Sequence, residues 1–320
     1  MTDQRRSDGS LRHLLTLADL NRDELEMLLE RAQHHVRRRG DAAPRSDVLA
    51  GITVANLFTE PSTRTRVSFE LAARRLGADV VNLEMQLSSR VKGESMLDTV
   101  FTLESLHVDV FVVRDAEAGV PALVADNVGP AVSVLSAGEA HLSHPTQGLL
   151  DVLTILQRKG SCEQLAVAIV GDIRHSRVAR SAWQALRTLG VGELRLVAPP
   201  ALMPAAEEFA GCRRYDSIDD GIRGVDVVMM LRIQRERFAD ADIPAGDAYF
   251  ERYGLTPARL ALAQRDAIVM HPQPMNRGVE IDSVVADGPQ SVIRDQVTNG
   301  VAVRMAVLET LATRPAPRRG

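Results

Sequence analysis

Aromatic residues make up only 3% of the 320-residue chain: one Trp, three Tyr and seven Phe. Base-stacking platforms for single-stranded nucleic acid are therefore not expected. An excess of positive charge is also missing. Lys and Arg number 38 against 42 Asp and Glu, for a formal charge of −4, so a general grip on a phosphate backbone is excluded. Cysteine is scarce. Cys162 and Cys212 form no metal-type or redox-type spacing, which argues against a disulfide framework and fits a reducing cytoplasm. No apolar run approaches the roughly 20 residues needed to cross a bilayer. The start, MTDQRRSDGS, is polar with no apolar core after it, so no signal peptide is expected. There is no low-complexity segment and no repeat of roughly 20–50 residues.

What remains is an ordinary globular composition, 45% hydrophobic and 25% charged, long enough for one large or two medium domains. Residues 1–10 and the tail RPAPRRG (314–320) read as disordered ends. Asn21 with Glu24 three residues later forms a capping-box-like start, and Leu25, Leu28, Leu29, Ala32 and Val36 make one helical stripe ending near Gly40. Apolar runs then alternate with helical patterns. The strand candidates are ITVANLF (52–58), DVVNL (79–83), VDVFVV (108–113), AVSVL (131–135), LAVAIVG (165–171), ELRLVA (193–198), VDVVMML (225–231) and AIVM (267–270). Strands apolar throughout are buried on both faces, and their alternation with helices predicts parallel sheets in an α/β fold. Residues 144–160 read as a long amphipathic helix with no strand, a bridge between two domains, and a last helix is expected over about 291–312. The expected division is 1–145, completed by 291–312, then 146–290, with 313–320 as tail.

In open parallel sheets ligands bind beyond the carboxyl ends of the strands. Five polar clusters directly follow a predicted strand, and HPTQ (144–147) follows another after a short loop. In EPSTRTR (60–66), Pro61 stiffens the approach and Ser62 is a good N-cap. Arg64 and Arg66 fall in the first turn, where the helix dipole disfavours a cation by roughly 0.3–1 kcal/mol. Ser62, Thr63, Arg64 and Thr65 would together suit a phosphate; the bland alternative is a capped helix with solvated arginines, and Arg66 can be structural. SSRVKGES (88–95) reads as a surface loop with Ser88 and Lys92, ahead of a helix that Ser95 could cap. His144 is kept out of the following helix by Pro145 and could donate to a developing oxyanion, or be a turn residue.

GDIRHSR (171–177) lacks the G-x-G-x-x-G of a dinucleotide turn, and ELRLVA ends in Pro199-Pro200 rather than an acid for a ribose hydroxyl. It presents Arg177 at a helix start. In RIQRER (232–237), Glu236 could pair with Arg232 at i,i+4, or the segment could be a solvated face. In HPQP (271–274) two prolines flank Gln273, so the backbone is neither helical nor strand-paired there, and the carbonyls of Pro272 and Gln273 could accept from an amino group.

Taken in order, STRTR (62–66), KGES (92–95), HPTQ (144–147), GDIRHSR (171–177) and HPQP (271–274) resemble the aspartate/ornithine carbamoyltransferase family over residues 11 to 312. LRIQRER (231–237) and HPQPMNRGVEI (271–281) resemble its aspartate branch; the HCLP of the ornithine branch is not present.

The resemblance implies a two-domain fold and transfer of a carbamoyl group from carbamoyl phosphate to L-aspartate, an early step of pyrimidine synthesis. It implies no metal or cofactor, no nucleic acid or membrane partner, and a homotrimer with shared sites, open to larger assembly with regulatory or dihydroorotase-like chains. Ser62, Thr63, Arg64 and Thr65 would hold the phosphate. Arg114 would reach both phosphate and carbonyl oxygen, and His144 and Thr65 would polarise that oxygen. Gln147 and the carbonyls of Pro272 and Gln273 would hold the carbamoyl amino group, and Arg177, Arg232 and Gln234 the aspartate carboxylates. Ser88 and Lys92 would arrive from a neighbouring subunit. Glu60 would tether Arg177 and Arg237 on domain closure, and Glu236 would orient Arg232. Gln273 departs from the pattern, which has a smaller or apolar residue there.

Overall fold

Apolar runs without alternation form strands buried on both faces, as in TVANLF, where five of six residues are buried. The computed structural model describes residues 2–37, 40–84, 95–233 and 246–312. The chain divides into two compact units, 1–149 with 298–320, and 150–297. The first boundary falls inside a single helix, later than the expected break at 145, and the return falls inside the last helix.

In the first unit, α1 (Arg22–His35) starts on the expected capping box, with Asn21 accepting from the Glu24 N–H. Strand β1 (Thr53–Phe58) leads to α2 (Thr63–Arg75), then β2 (Asp79–Glu84). Next come α3 (Met96–Ser105), capped by Ser95 as expected, β3 (Val110–Asp115), α4 (Val120–Asn127) and β4 (Ser133–Glu139). The strands are all parallel in the order β2-β1-β3-β4. Ala55, Leu57, Phe111, Val113 and Val134 of the sheet pack with Val100, Leu103 and Val124 of the helices.

The amino-terminal segment is not a disordered end. Gln4 is buried and its Oε1 accepts the N–H groups of Leu15 and Thr16. Arg5 pairs with Glu24, and Arg6 donates to the carbonyl of Leu311. These are side-chain bonds across long sequence separations, so no local pattern announces them. The tail 314–320 lies outside the described residues.

Helix α5 (Pro145–Lys159) follows β4. In the second unit, β5 (Ala166–Val170), α6 (Arg177–Thr188), β6 (Glu193–Val197), β7 (Arg213–Tyr215), the short α7 (Ile218–Gly221) and β8 (Val227–Met230) follow. Then come α8 (Gly246–Tyr253), α9 (Pro257–Leu260), β9 (Ile268–Met270), α10 (Ser283–Ala286) and α11 (Ile293–Ala312). The parallel sheet runs β7-β6-β5-β8-β9. Strand β7, Arg-Arg-Tyr, escaped the sequence reading. It is a three-residue edge strand with two exposed arginines, so it carries no apolar run.

Candidate active site

In the first unit the carboxyl ends of β1, β3 and β4 carry the polar clusters. Phe58 is in register with Arg114 across the β1–β3 pair, and the Thr59 N–H donates to the Arg114 carbonyl at 3.0 Å. Arg114, half-buried near the end of β3, donates through Nη1 to the carbonyl of Ala137 in β4 at 3.1 Å. Its Nη2 lies 3.0 Å from Glu60 Oε2. Glu60, which the resemblance implies as a tether for Arg177 and Arg237, forms an ion pair with Arg114; Arg237 lies outside the described residues.

Ser62 occupies the N-cap of α2, but its side chain makes no capping hydrogen bond and the first turn holds no acid. The expected Ser62 cap is therefore not formed. Ser62 has φ −157° and ψ 76°, and its carbonyl accepts the Arg66 N–H at 3.0 Å. Thr63 and Arg64 are exposed, and Ser62 and Thr65 partly so. Helix N–H groups, hydroxyls and a guanidinium thus sit at one solvent-facing point, where a helix favours an anion.

His144 stands immediately before α5 and is 6% exposed. A bridge between Glu139 and Ser143 returns the chain from β4 to that helix start, and the His144 carbonyl accepts the N–H of Gln147 at 2.9 Å. Gln147 is buried with it.

Arg304 of α11 is a buried residue that the sequence reading missed. It is 5% exposed and its guanidinium carbon lies 4.9 Å from the ring centroid of Phe69 in α2. Its Nη1 donates to the Gly300 carbonyl, and among the described residues no carboxylate offsets its charge. Burial, with the positive charge of Arg114 added, lowers its pKa to about 10. The signal was a single Arg in the otherwise apolar stretch AVRMAVL.

In the second unit, Gly171 follows β5 with φ +126°, and a Cβ there would stand 2.9 Å from the Leu231 carbonyl oxygen. Glycine lets the backbone beside Arg232 approach β5 closely. Ser176 caps α6 by accepting from the Ala179 N–H, which sets Arg177 at the first helical position, half-buried. Arg232 follows β8 and is also half-buried. Gln234 and Glu236 lie outside the described residues, as do Ser88 and Lys92.

HPQP follows β9. Gln273 has φ +58°, its peptide bond to Pro274 is cis, and its N–H donates to His271 Nδ1 at 2.9 Å. Beneath lies a polar network of residues distant in sequence. His271 Nε2 meets Glu280 Oε1 at 3.2 Å with both side chains 0% exposed, and the Asn276 N–H donates to the same oxygen. Asn276 Nδ2 donates to the Ile233 carbonyl at 3.2 Å. The His271 N–H donates to Gln296 Oε1 at 2.9 Å, and Gln296 Nε2 to Asp151 Oδ1 at 2.7 Å. Tyr249 is fully buried, and burial, with Glu280 nearby, pushes its phenol pKa up.

Among the described residues no group of three His, Cys, Asp or Glu could hold a metal ion, and no helix is long and apolar enough to cross a membrane.

Residues 12–157 match the model of the aspartate/ornithine carbamoyltransferase carbamoyl-P binding domain, and residues 163–311 that of the Asp/Orn binding domain. Aspartate transcarbamoylase from Trypanosoma cruzi, in complex with carbamoyl phosphate and aspartate, is 32% identical; the match covers 94% of this chain and 97% of that one, with a TM-score of 0.84. The same enzyme with carbamoyl phosphate alone gives 30% identity, 94% and 97% coverage and a TM-score of 0.85. Ornithine carbamoyltransferase from Thermus thermophilus is 25% identical, with 94% and 99% coverage and a TM-score of 0.83.

Proposed function

The chain belongs to the aspartate/ornithine carbamoyltransferase family, and from that premise we infer its reaction: the carbamoyl group of carbamoyl phosphate passes to the amino group of L-aspartate, giving N-carbamoyl-L-aspartate and phosphate. The observation that carries this reading is the uncapped, acid-free start of α2 on the same sheet edge as Arg114 and His144. The preference for aspartate is supported by the cationic residues Arg177 and Arg232 in the second unit and by similarity to aspartate transcarbamoylase structures.

The α-amino group of aspartate is the nucleophile, so no Ser or Cys is required. It attacks the carbamoyl carbon, a C–N bond forms, and the carbonyl oxygen takes negative charge. Collapse breaks the C–O bond to phosphate, and the leaving phosphate takes the proton shed by the amine. The protein's task is to align two anions that repel and to stabilise the oxyanion, so positioning and electrostatics supply most of the rate.

In this reading the first unit holds carbamoyl phosphate. Ser62, Thr63, Arg64 and Thr65 bind the phosphate, each charge-assisted bond contributing about 1.5–3 kcal/mol. Arg114 bridges phosphate and carbonyl oxygen, while His144 and Thr65 donate to that oxygen. Gln147 and the Pro272 and Gln273 carbonyls accept from the carbamoyl amino group. The second unit receives aspartate through Arg177, Arg232 and Gln234, with Glu236 orienting Arg232. Ser88 and Lys92 come from a neighbouring subunit of a homotrimer, and Glu60, beside its pairing with Arg114, tethers Arg177 and Arg237 as the domains close. The enzyme serves cytoplasmic pyrimidine synthesis.

The test is an acceptor panel with carbamoyl phosphate, following phosphate release and carbamoylated product. Turnover is expected with aspartate; turnover with ornithine but not aspartate would overturn the assignment.

A further inference from the structure

We propose that His271 is a positioning residue: its imidazole aims the Pro272 carbonyl by holding the other end of the same peptide unit. The proposal rests on the reading that the Pro272 and Gln273 carbonyls receive the carbamoyl amino group.

The Gln273 N–H donates to His271 Nδ1 at 2.9 Å. The only cis bond among the described residues is Gln273–Pro274, so the Pro272–Gln273 peptide is trans. In a trans peptide the C=O and N–H of the unit point in opposite directions. The Pro272 carbonyl therefore points away from the imidazole. That imidazole is fully buried, so the side it holds is interior, and the carbonyl is turned toward the other side.

One protonation state satisfies the ring. Nδ1 accepts, so it carries no proton; Nε2 must then carry one, donated to Glu280 Oε1 at 3.2 Å. The ring is neutral, in the Nε2–H tautomer. Glu280 cannot drift, because its Oε1 also accepts the Asn276 N–H. The histidine backbone is fixed independently through Gln296 Oε1, itself donating to Asp151. Gln273 sits at φ +58°, a conformation that a side chain with a Cβ disfavours. The bond from its N–H to Nδ1 is one of the contacts that holds it there. The arrangement is the peptide counterpart of a buried partner orienting a ligand from behind.

Two substitutions separate aiming from packing. In His271→Asn the amide oxygen falls near the Nδ1 position and keeps the acceptor. In His271→Gln the amide reaches the Nε2 position, keeps the partner of Glu280 and loses the acceptor for Gln273. His271→Asn is expected to retain kcat/KM for carbamoyl phosphate within about threefold. His271→Gln is expected to lose on the order of 10–100-fold, the scale of a 1 Å misplacement. Binding of inorganic phosphate, which uses the first unit, should be unchanged in both. Equal activities of the two variants, or a more active His271→Gln, would overturn the proposal.

A measurement on the unsubstituted enzyme covers the case in which neither variant folds. Nitrogen NMR of uniformly ¹⁵N-labelled protein should show a coupling across the hydrogen bond from the Gln273 amide to an unprotonated His271 Nδ1, with that ring's proton on Nε2; His13, whose Nδ1 accepts from Val134, is the matching control. A proton on His271 Nδ1, or a Gln273 amide without that coupling, refutes it. Failure of the wild-type protein to use carbamoyl phosphate with any acceptor refutes the reaction instead; a working wild type with indifferent variants refutes the aiming alone.

Discussion

Glu60 and Arg114 form an ion pair of 3.0 Å, with side chains only 15% and 11% exposed, at the carboxyl ends of adjacent parallel strands. The carboxylate occupies part of the guanidinium that a phosphate would use. In Glu60→Gln that competition is removed, so inorganic phosphate should bind as tightly as in wild type or up to about tenfold tighter. Carbamoyl transfer should nonetheless fall about tenfold, because the fork of Arg114 loses its aim. Calorimetry with phosphate beside steady-state kinetics checks both; weaker phosphate binding would show that Glu60 is structural support only.

Arg64 is exposed in the first turn of a helix that has no acid there. Removing a cation from that end relieves an unfavourable dipole interaction of about 0.3–1 kcal/mol. Arg64→Ala should leave the melting temperature of the ligand-free protein unchanged or slightly raised while KM for carbamoyl phosphate rises by tenfold or more. A large loss of thermal stability without ligand would mark Arg64 as a packing residue.

His144 precedes α5 and is buried. Loss of one oxyanion donor typically costs about 100–1000-fold in kcat. His144→Ala should show a fall of that size with little change in KM for carbamoyl phosphate. An unchanged kcat removes His144 from the mechanism.

Stability should also fall on mild acidification, through a buried histidine that the proposed reaction does not use. His13 is 1% exposed, its Nδ1 accepts the Val134 N–H at 2.9 Å, and burial, with Arg12 and Arg6 nearby, lowers its pKa to about 4. The unfolded chain takes up this proton near pH 6.5, the folded chain only near 4. The stabilisation is therefore complete above about pH 6.5 and is lost as pH falls toward 4, amounting to about 3 kcal/mol. Urea titrations across that range should show the loss. His13→Asn, which keeps an acceptor for Val134, should flatten the profile; an equally steep profile assigns it to carboxylates.

The strands were legible because parallel β-structure buried on both faces writes itself as unbroken apolar runs, as in AVAIV and VVMM. Helix ends were legible where the cap is local, as at Asn21 and Ser95. Ser62 looked the same on paper, yet its hydroxyl does not cap, because cap geometry depends on the incoming dihedrals and not on residue type alone. The polar clusters that follow strands were readable. What holds them was not: Asp151, Gln296, His271 and Glu280 are joined by hydrogen bonds spanning up to 145 residues, which no local pattern encodes. Arg304 stayed hidden because a lone cation in an apolar helix resembles a solvent-facing residue until packing shows otherwise.

If the first turn of α2 takes phosphate as proposed, the thermal behaviour of this chain is inseparable from its solvent. A ligand that completes the turn binds the folded state alone and raises apparent stability by RT ln(1 + [L]/Kd), about 2.7 kcal/mol at one hundred times Kd. Phosphate is both the product anion of the proposed reaction and a common buffer. On the proposed reading, a melting temperature recorded in phosphate describes a partly occupied enzyme, and one recorded in a non-binding buffer describes a helix still waiting for its first turn to be finished.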